Sequence, residues 1–194
     1  DAHLMINEPV KHVHDYIDAG SDIITVHAEV CDESSFGEIC DMLNSNQVGI
    51  GLAINPDTEL PQWCYKFVEL LDQVIIMSVV PGKSGQKFIE STHEKTRRIA
   101  KDLREHKFEG YIEADGGVNL ENIGACFEDG ARAFVGGSAI IGQNDVRMII
   151  KEFRNQVLES RRRLLIKKAH DLGGTELVNS WIDLHVIGEK KDKL

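Results

Sequence analysis

Glu113-Ala114-Asp115-Gly116-Gly117-Val118 closes an apolar run from Gly110 to Ala114 with a carboxylate and two glycines, immediately before a helical pattern. A carboxylate at the open end of a buried strand packs badly. It is well placed for chemistry, because barrels and open α/β sheets assemble their sites at the C-terminal ends of strands. Asp115 is therefore the first candidate catalytic residue. The competing assignment for a lone Asp-Gly-Gly is structural, a tight turn or a helix cap, so the decision rests on the other strand ends.

The same unit recurs on both sides. Upstream, Asp1-Ala2-His3-Leu4-Met5-Ile6 reads as a strand; Glu8-Pro9 then opens a helix with Val10, Val13, Tyr16 and Ile17 on its apolar face, and Ala19-Gly20 closes it. Strands are expected at 22–27, 48–54 and 73–79, with helical segments around 36–43, at 59–71 and, after Pro81-Gly82-Lys83-Ser84-Gly85-Gln86, as far as His106. Downstream come a helix over 119–129 ended by Gly130, a sixth strand over 131–135 running into Gly136-Gly137-Ser138, one long helix or two over 146–169, and an amphipathic piece over 176–186. Continuous apolar strands separated by single helices indicate a parallel sheet covered by helices. Two α/β architectures satisfy this pattern: an open doubly wound sheet, or a TIM (β/α)8 barrel of which six β/α units are present, with a C-terminal helical extension. The sequence begins mid-strand and without Met, which favours the barrel and leads us to expect two further units before Asp1.

Composition narrows the function. At 194 residues, 42% hydrophobic and 28% charged, one soluble domain is the default. The excess of 32 acidic over 22 basic residues, a formal charge of -10, argues against nucleic acid or an anionic membrane as partner, since both call for basic patches. Any anionic ligand must be held locally. Cys31, Cys40, Cys64 and Cys126 form no C-x-x-C pair and no Cys/His cluster, which fits a reducing cytoplasm better than a disulfide framework or a structural zinc site. No apolar run has membrane-spanning length. The terminal Lys-Asp-Lys-Leu reads as a charged chain end, and Arg161-Arg162-Arg163 with Lys167-Lys168 as a solvated helix face.

Polar residues collect at one end of the expected sheet: His3, His27, Asn55, Met77-Ser78, Asp115 and Gly136-Gly137-Ser138. His3 and Met5 lie two apart and share a strand face, so in a barrel His3 and Asp115 would converge. An imidazole and a carboxylate suit a divalent transition metal, which beside a carbonyl would act as a Lewis acid. The competing assignment for a lone strand histidine, His27 included, is a satisfied core residue. Gly82-Lys83-Ser84-Gly85 and Gly136-Gly137-Ser138 each follow a strand and precede a helix start, where backbone N–H groups cradle phosphate. Two such loops flanking the Asp115 strand match the barrel habit of binding phosphate after its last strands.

Taken in order, D-A-H-L-M-I, D-I-I-T-V-H-A-E, M-S-V-V-P-G-K-S-G-Q-K-F, E-A-D-G-G-V-N and V-G-G-S-A-I closely resemble the ribulose-phosphate 3-epimerase family over about residues 1 to 160. The resemblance implies a TIM barrel and an isomerase of the pentose phosphate pathway. Such an enzyme interconverts D-ribulose 5-phosphate and D-xylulose 5-phosphate by acid/base proton transfer at C3 through a metal-stabilised enediolate. It implies that His3 is a metal ligand, that Asp115 is both metal ligand and acid/base, and that both meet the substrate. One divalent ion (Zn, Fe, Mn or Co) would be the cofactor. Met5 and Met77 are similar to methionines lining the family's site, and Gly82, Lys83, Ser84, Gly85, Gly116, Gly117, Gly137 and Ser138 match segments that hold the sugar phosphate. The chain departs from the family where Lys83-Ser84 replaces an aromatic residue and glycines. It also lacks the second-strand His-x-Asp pair and the first-strand serine. The implied organisation is a barrel over 1–160 and a helical extension over 161–194, with a phosphorylated ketose as partner and a second copy of the chain left open. A hexulose-phosphate 3-epimerase, a related barrel lyase and an inactive metabolite-binding protein are the alternatives.

Overall fold

The structure, a computed structural model, describes residues 1–83 and 85–171. Each short apolar run becomes a strand: β1 (Ala2–Leu4), β2 (Ile23–His27), β3 (Gly49–Ile54), β4 (Gln73–Met77), β5 (Tyr111–Asp115) and β6 (Ala133–Val135). All neighbours pair in parallel, and the strands lie side by side in chain order, with β1 and β6 outermost. Strict sequential order is the signature of a barrel, whereas a doubly wound sheet reverses its order at a switch point. The fold is thus six β/α units of a TIM barrel, followed by a C-terminal helix.

The helices follow from capping and amphipathic spacing. The α1 helix (Val13–Asp18) is preceded by a 3-10 turn over Pro9–Lys11, so the expected first helix is split. Asp32 and Ser35 form a reciprocal capping box that starts α2 (Glu33–Ser45), whose residues Phe36, Ile39, Cys40 and Leu43 are buried. The α3 helix (Thr92–Glu105) buries Ile99, Ala100 and Leu103. The α4 helix spans Ile123–Asp129 and α5 spans Val146–Asp171. Apolar side chains on one sheet face, among them Ile24, Val26, Leu52, Ile54, Val74 and Ile76, pack with Phe36, Leu43, Ile99 and Leu103 into the main core. A separate small cluster of Ala53, Ile75, Met77 and Val79 occupies the opposite face, the inner wall of the barrel.

Three expectations change in detail. The helix expected over 59–71 is instead two 3-10 turns, Gln62–Lys66 and Val68–Leu70. The segment is rich in weak helix formers, and packing decides its path: the Trp63 and Phe67 rings lie 5.2 and 5.3 Å from that of Phe36. The helix expected from 119 begins at Ile123, because the Asn119 N–H donates to Asn122 Oδ1 and the Glu121 N–H to Asn119 Oδ1, each at 2.8 Å. Such local bonds offer the backbone an alternative to the first helical turn. The segment over 146–169 is a single helix, and the expected boundary at 160 falls inside it. The amphipathic piece at 176–186 lies outside the described residues, as does Ser84. Among the described residues no helix is long and apolar enough to cross a membrane.

Candidate active site

Asp115 is the last residue of β5, paired with Met77 of β4. Ser78, the next residue after β4, fastens this strand end. Its N–H donates to Asp115 O at 2.7 Å, and its hydroxyl lies 2.9 Å from Asp115 O and 2.7 Å from Gly116 O. The chain then turns through Gly116 (φ 113°) and Gly117 (φ 64°). Both positions need glycine twice over, for the left-handed backbone and for space. A Cβ on Gly116 would fall 2.4 Å from Val79 Cγ2, and one on Gly117 would fall 2.6 Å from Phe88 N.

The register sets His3 of β1 opposite Thr25 and ends β2 at His27, opposite Ala53. Across the barrel interior His3 Nδ1 comes within 3.3 Å of Asp115 Oδ2, with both side chains largely buried. The expected convergence of these two residues is therefore present. The other edge of the His3 ring meets His27, with 2.8 Å between the two Nε2 atoms, and His27 Nδ1 lies 3.1 Å from Glu29 Oε2. Burial opposes the Glu29 charge, but bonds from His27 and the Asn55 N–H outweigh it and bring the carboxyl down to about 2.

The loop after β4 turns through Gly82 (φ 96°) and Gly85 (φ 74°). The Gln86 side-chain amide donates to Val80 O at 2.6 Å and Lys83 O at 2.8 Å, folding the loop onto itself. On the far side, a π-helical turn over Gly137–Ile141 follows β6. Between these loops lies a cavity of about 430 Å³ lined by Met5, Met77, Gly82, Lys83, Gly85, Asp115, Gly116, Gly117, Gly137 and Ser138, together with Gln86 and Val79. That volume is of the size that holds a small metabolite. Of the described sequence candidates only His3, which touches Asp115 from behind, does not line it.

Four residues with roles here escaped the sequence reading. Ser78 stands out in the sequence only as a strand end, Gln86 only as a loop residue, and Glu29 and Glu113 only as members of quoted motifs with no role assigned. Glu113 sits two residues before Asp115 on the inner face and is buried; burial and then the Asp115 charge push its carboxyl up to about 7. Because this lies above the ordinary value of 4.5, the native state binds the proton more tightly than the unfolded chain. Stability from this group is therefore present at low pH and declines as pH rises from about 4.5 to 7. Glu113→Gln should remove that decline and raise stability near pH 8 by on the order of 1–2 kcal/mol. Urea unfolding at about pH 5 and pH 8 checks it; identical pH dependence in both proteins would contradict it.

His3 and Asp115 offer one imidazole nitrogen and one carboxylate oxygen 3.3 Å apart, a donor pair of the kind suited to a divalent transition metal. Among the described residues no cluster of three His, Cys, Asp or Glu side chains is placed to hold a metal ion. Catalytic zinc sites commonly use three protein ligands, so the pair fits such an ion as part of a set.

Residues 1–141 match the model of the ribulose-phosphate 3 epimerase family. The ribulose-phosphate 3-epimerase of Escherichia coli (strain K12) is 37% identical over 157 residues, which cover 81% of this chain and 68% of that protein. The ribulose-phosphate 3-epimerase of Bacillus subtilis (strain 168) is 38% identical over 155 residues, 79% of this chain and 70% of that one. Among solved structures, a 3-hexulose-6-phosphate synthase superposes with a TM-score of 0.57 at 19% identity, covering 77% of this chain and 69% of its own, a likeness of fold.

Proposed function

Because the chain belongs to the ribulose-phosphate 3-epimerase family, we propose that its cavity interconverts D-ribulose 5-phosphate and D-xylulose 5-phosphate by moving the C3 proton. The observation that carries this reading is the meeting of Asp115 with His3 at the strand ends, inside a cavity walled by two glycine-rich loops. Asp115 stands at the cavity wall as the acid/base for one face of C3. A general base must reach the proton it removes, and the Ser78 bonds to Asp115 O and Gly116 O hold the strand end that aims this carboxylate. Met5 and Met77 supply soft apolar surface that keeps water from the reacting carbon.

His3 and Asp115 would hold one divalent ion, Zn, Fe, Mn or Co, with further donors from outside the described residues. When bound, such an ion supplies Lewis-acid stabilisation of the enediolate charge. Epimerisation also calls for a proton donor on the opposite face. Among the described residues Asp115 is the one carboxylate lining the cavity, so the second acid/base also comes from outside them.

The phosphate lies against the glycine loops, near Gly82 to Gly85 and Gly137-Ser138, where backbone N–H groups and the Lys83 ammonium meet it. As a contact to the phosphate and not to the reacting carbon, Lys83 would hold ground state and transition state alike. Lys83→Ala should raise KM about tenfold while kcat stays within about twofold. An unchanged KM would remove Lys83 from the site. Turnover assays on pentulose and hexulose 5- and 6-phosphates test the substrate class: conversion of ribulose 5-phosphate is expected, and activity on the hexulose phosphate alone would overturn the reading.

A further inference from the structure

Behind Asp115 runs an unbroken line of polar contacts, of which the proposed reaction uses only the first: Asp115 to His3, His3 to His27, His27 to Glu29, and Glu29 to the Asn55 N–H at 2.6 Å. The loop carrying Asn55 is fastened in turn to α3, where the buried Lys95 ammonium donates to the carbonyls of Asn55, Pro56 and Thr58. All three of its protons are in use, so the far end of the line is anchored on a helix.

We propose that Glu29 and His27 are positioning residues that fix the tautomer of His3, so that its Nδ1 lone pair faces the Asp115 side of the cavity. An ionised carboxylate only accepts, so the proton in the 3.1 Å contact belongs to His27 Nδ1. The low value of the Glu29 carboxyl agrees with its acceptor role. A neutral imidazole carries one N–H and one bare nitrogen. His27 then presents a bare Nε2, and the proton in the 2.8 Å contact belongs to His3 Nε2. His3 is left with Nδ1 bare, toward Asp115.

Ring geometry supports a directed bond here. The two planes differ by only 14° with centroids 4.9 Å apart, and the facing nitrogens are far closer than the centroids, as in an in-plane hydrogen bond between ring edges. By contrast the 3.3 Å from His3 Nδ1 to Asp115 is long for an N–H···O bond. Two donors at this separation would be able to share one ion. A carboxylate or carbonyl behind a ligating histidine, setting tautomer and ring orientation, is a general device at metal sites; here a second imidazole is interposed, which carries the constraint from β2 to β1. The placement of the metal rests on the proposed function, whereas the tautomer assignment stands on the contacts alone.

The test is a long-range 1H–15N correlation spectrum of the metal-free, 15N-labelled protein at mildly alkaline pH, with His3 and His27 assigned by single substitution. His27 is expected to carry its proton on Nδ1 and His3 on Nε2. Glu29→Ala should replace this single pattern at both rings by a mixture of tautomers, and should weaken Zn2+ binding in calorimetry by about ten- to hundredfold. A wild-type spectrum with His27 protonated on Nε2, or with both of its nitrogens protonated, would overturn the proposal whether or not the variant folds. So would an unchanged His27 tautomer in Glu29→Ala. The spectrum needs neither metal nor turnover, so failure of wild-type protein to bind Zn2+ would count against the metal reading and leave the tautomer result distinct.

Discussion

Asp115→Asn is expected to lower kcat/KM for ribulose 5-phosphate by about a thousandfold or more, on the scale by which a positioned acid/base and its charge contribute to proton transfer. Asparagine keeps the shape of the side chain and one acceptor oxygen, but it cannot take up the C3 proton, and it would be a poorer partner for the cation proposed to lie between it and His3. The fold should tolerate the change. The bonds that lock the end of β5 run from the Ser78 N–H and hydroxyl to the backbone carbonyls of Asp115 and Gly116, and the side-chain carboxylate takes no part in them. Unfolding free energy should therefore stay within about 1 kcal/mol of the parent. Steady-state kinetics beside a urea titration separate the two effects. Activity retained to within tenfold in a stable variant would show that another group moves the proton.

Gly117→Ala should lower stability by about 2–3 kcal/mol. The residue combines a φ of 64° with a Cβ position 2.6 Å from Phe88 N and 2.9 Å from Phe88 Cα. The left-handed conformation alone costs about 1–2 kcal/mol for a residue bearing a Cβ. The obstruction is main chain, so relief calls for shifting the segment after the Gly82–Gly85 loop, and with it the side of the cavity proposed to hold phosphate. For a domain of this size the expected fall in melting temperature is about 5–10 °C, accompanied by a raised KM. A variant as stable as the parent would mean that the close approach of the two loops is not maintained in solution.

Much of this architecture is legible in the sequence because parallel strands covered on both faces leave a simple trace. Runs such as Val74-Ile75-Ile76 are continuous and apolar, and each stops at a polar residue or glycine. The same rule pointed to Asp115 and His3, since a charged or polar group at a strand end is conspicuous against its apolar neighbours. The strand pattern alone leaves the order open, since single-helix crossovers suit a barrel and an open sheet alike; the family motifs imply the barrel, and pairing in chain order agrees. Boundaries failed where tertiary contacts outweigh local preference, as where Trp63 and Phe67 pack on Phe36, or where Asn119 and Asn122 bind the backbone themselves.

The groups behind the candidate site were hidden for a different reason. His27 and Glu29 are separated from His3 by more than twenty residues in sequence, and nothing in their spacing announces a hydrogen bond across two strands. The register of β1 on β2 brings them into line. Glu113 reads as an ordinary charged residue in an otherwise apolar strand; its raised carboxyl follows from which face it occupies and from Asp115 two residues on. Ser78 and Gln86 act through backbone carbonyls, which carry no residue-specific signal.

The central claim is that the carbon inverted is C3 and that its proton passes through the protein to solvent. Turnover of D-ribulose 5-phosphate in deuterium oxide, followed by proton NMR of the sugar, tests it most directly. The account predicts deuterium at C3 of the xylulose 5-phosphate formed and of the ribulose 5-phosphate recovered, with both signals abolished by Asp115→Asn. Product formed with the C3 proton fully retained, or deuterium appearing only at another carbon, would contradict it.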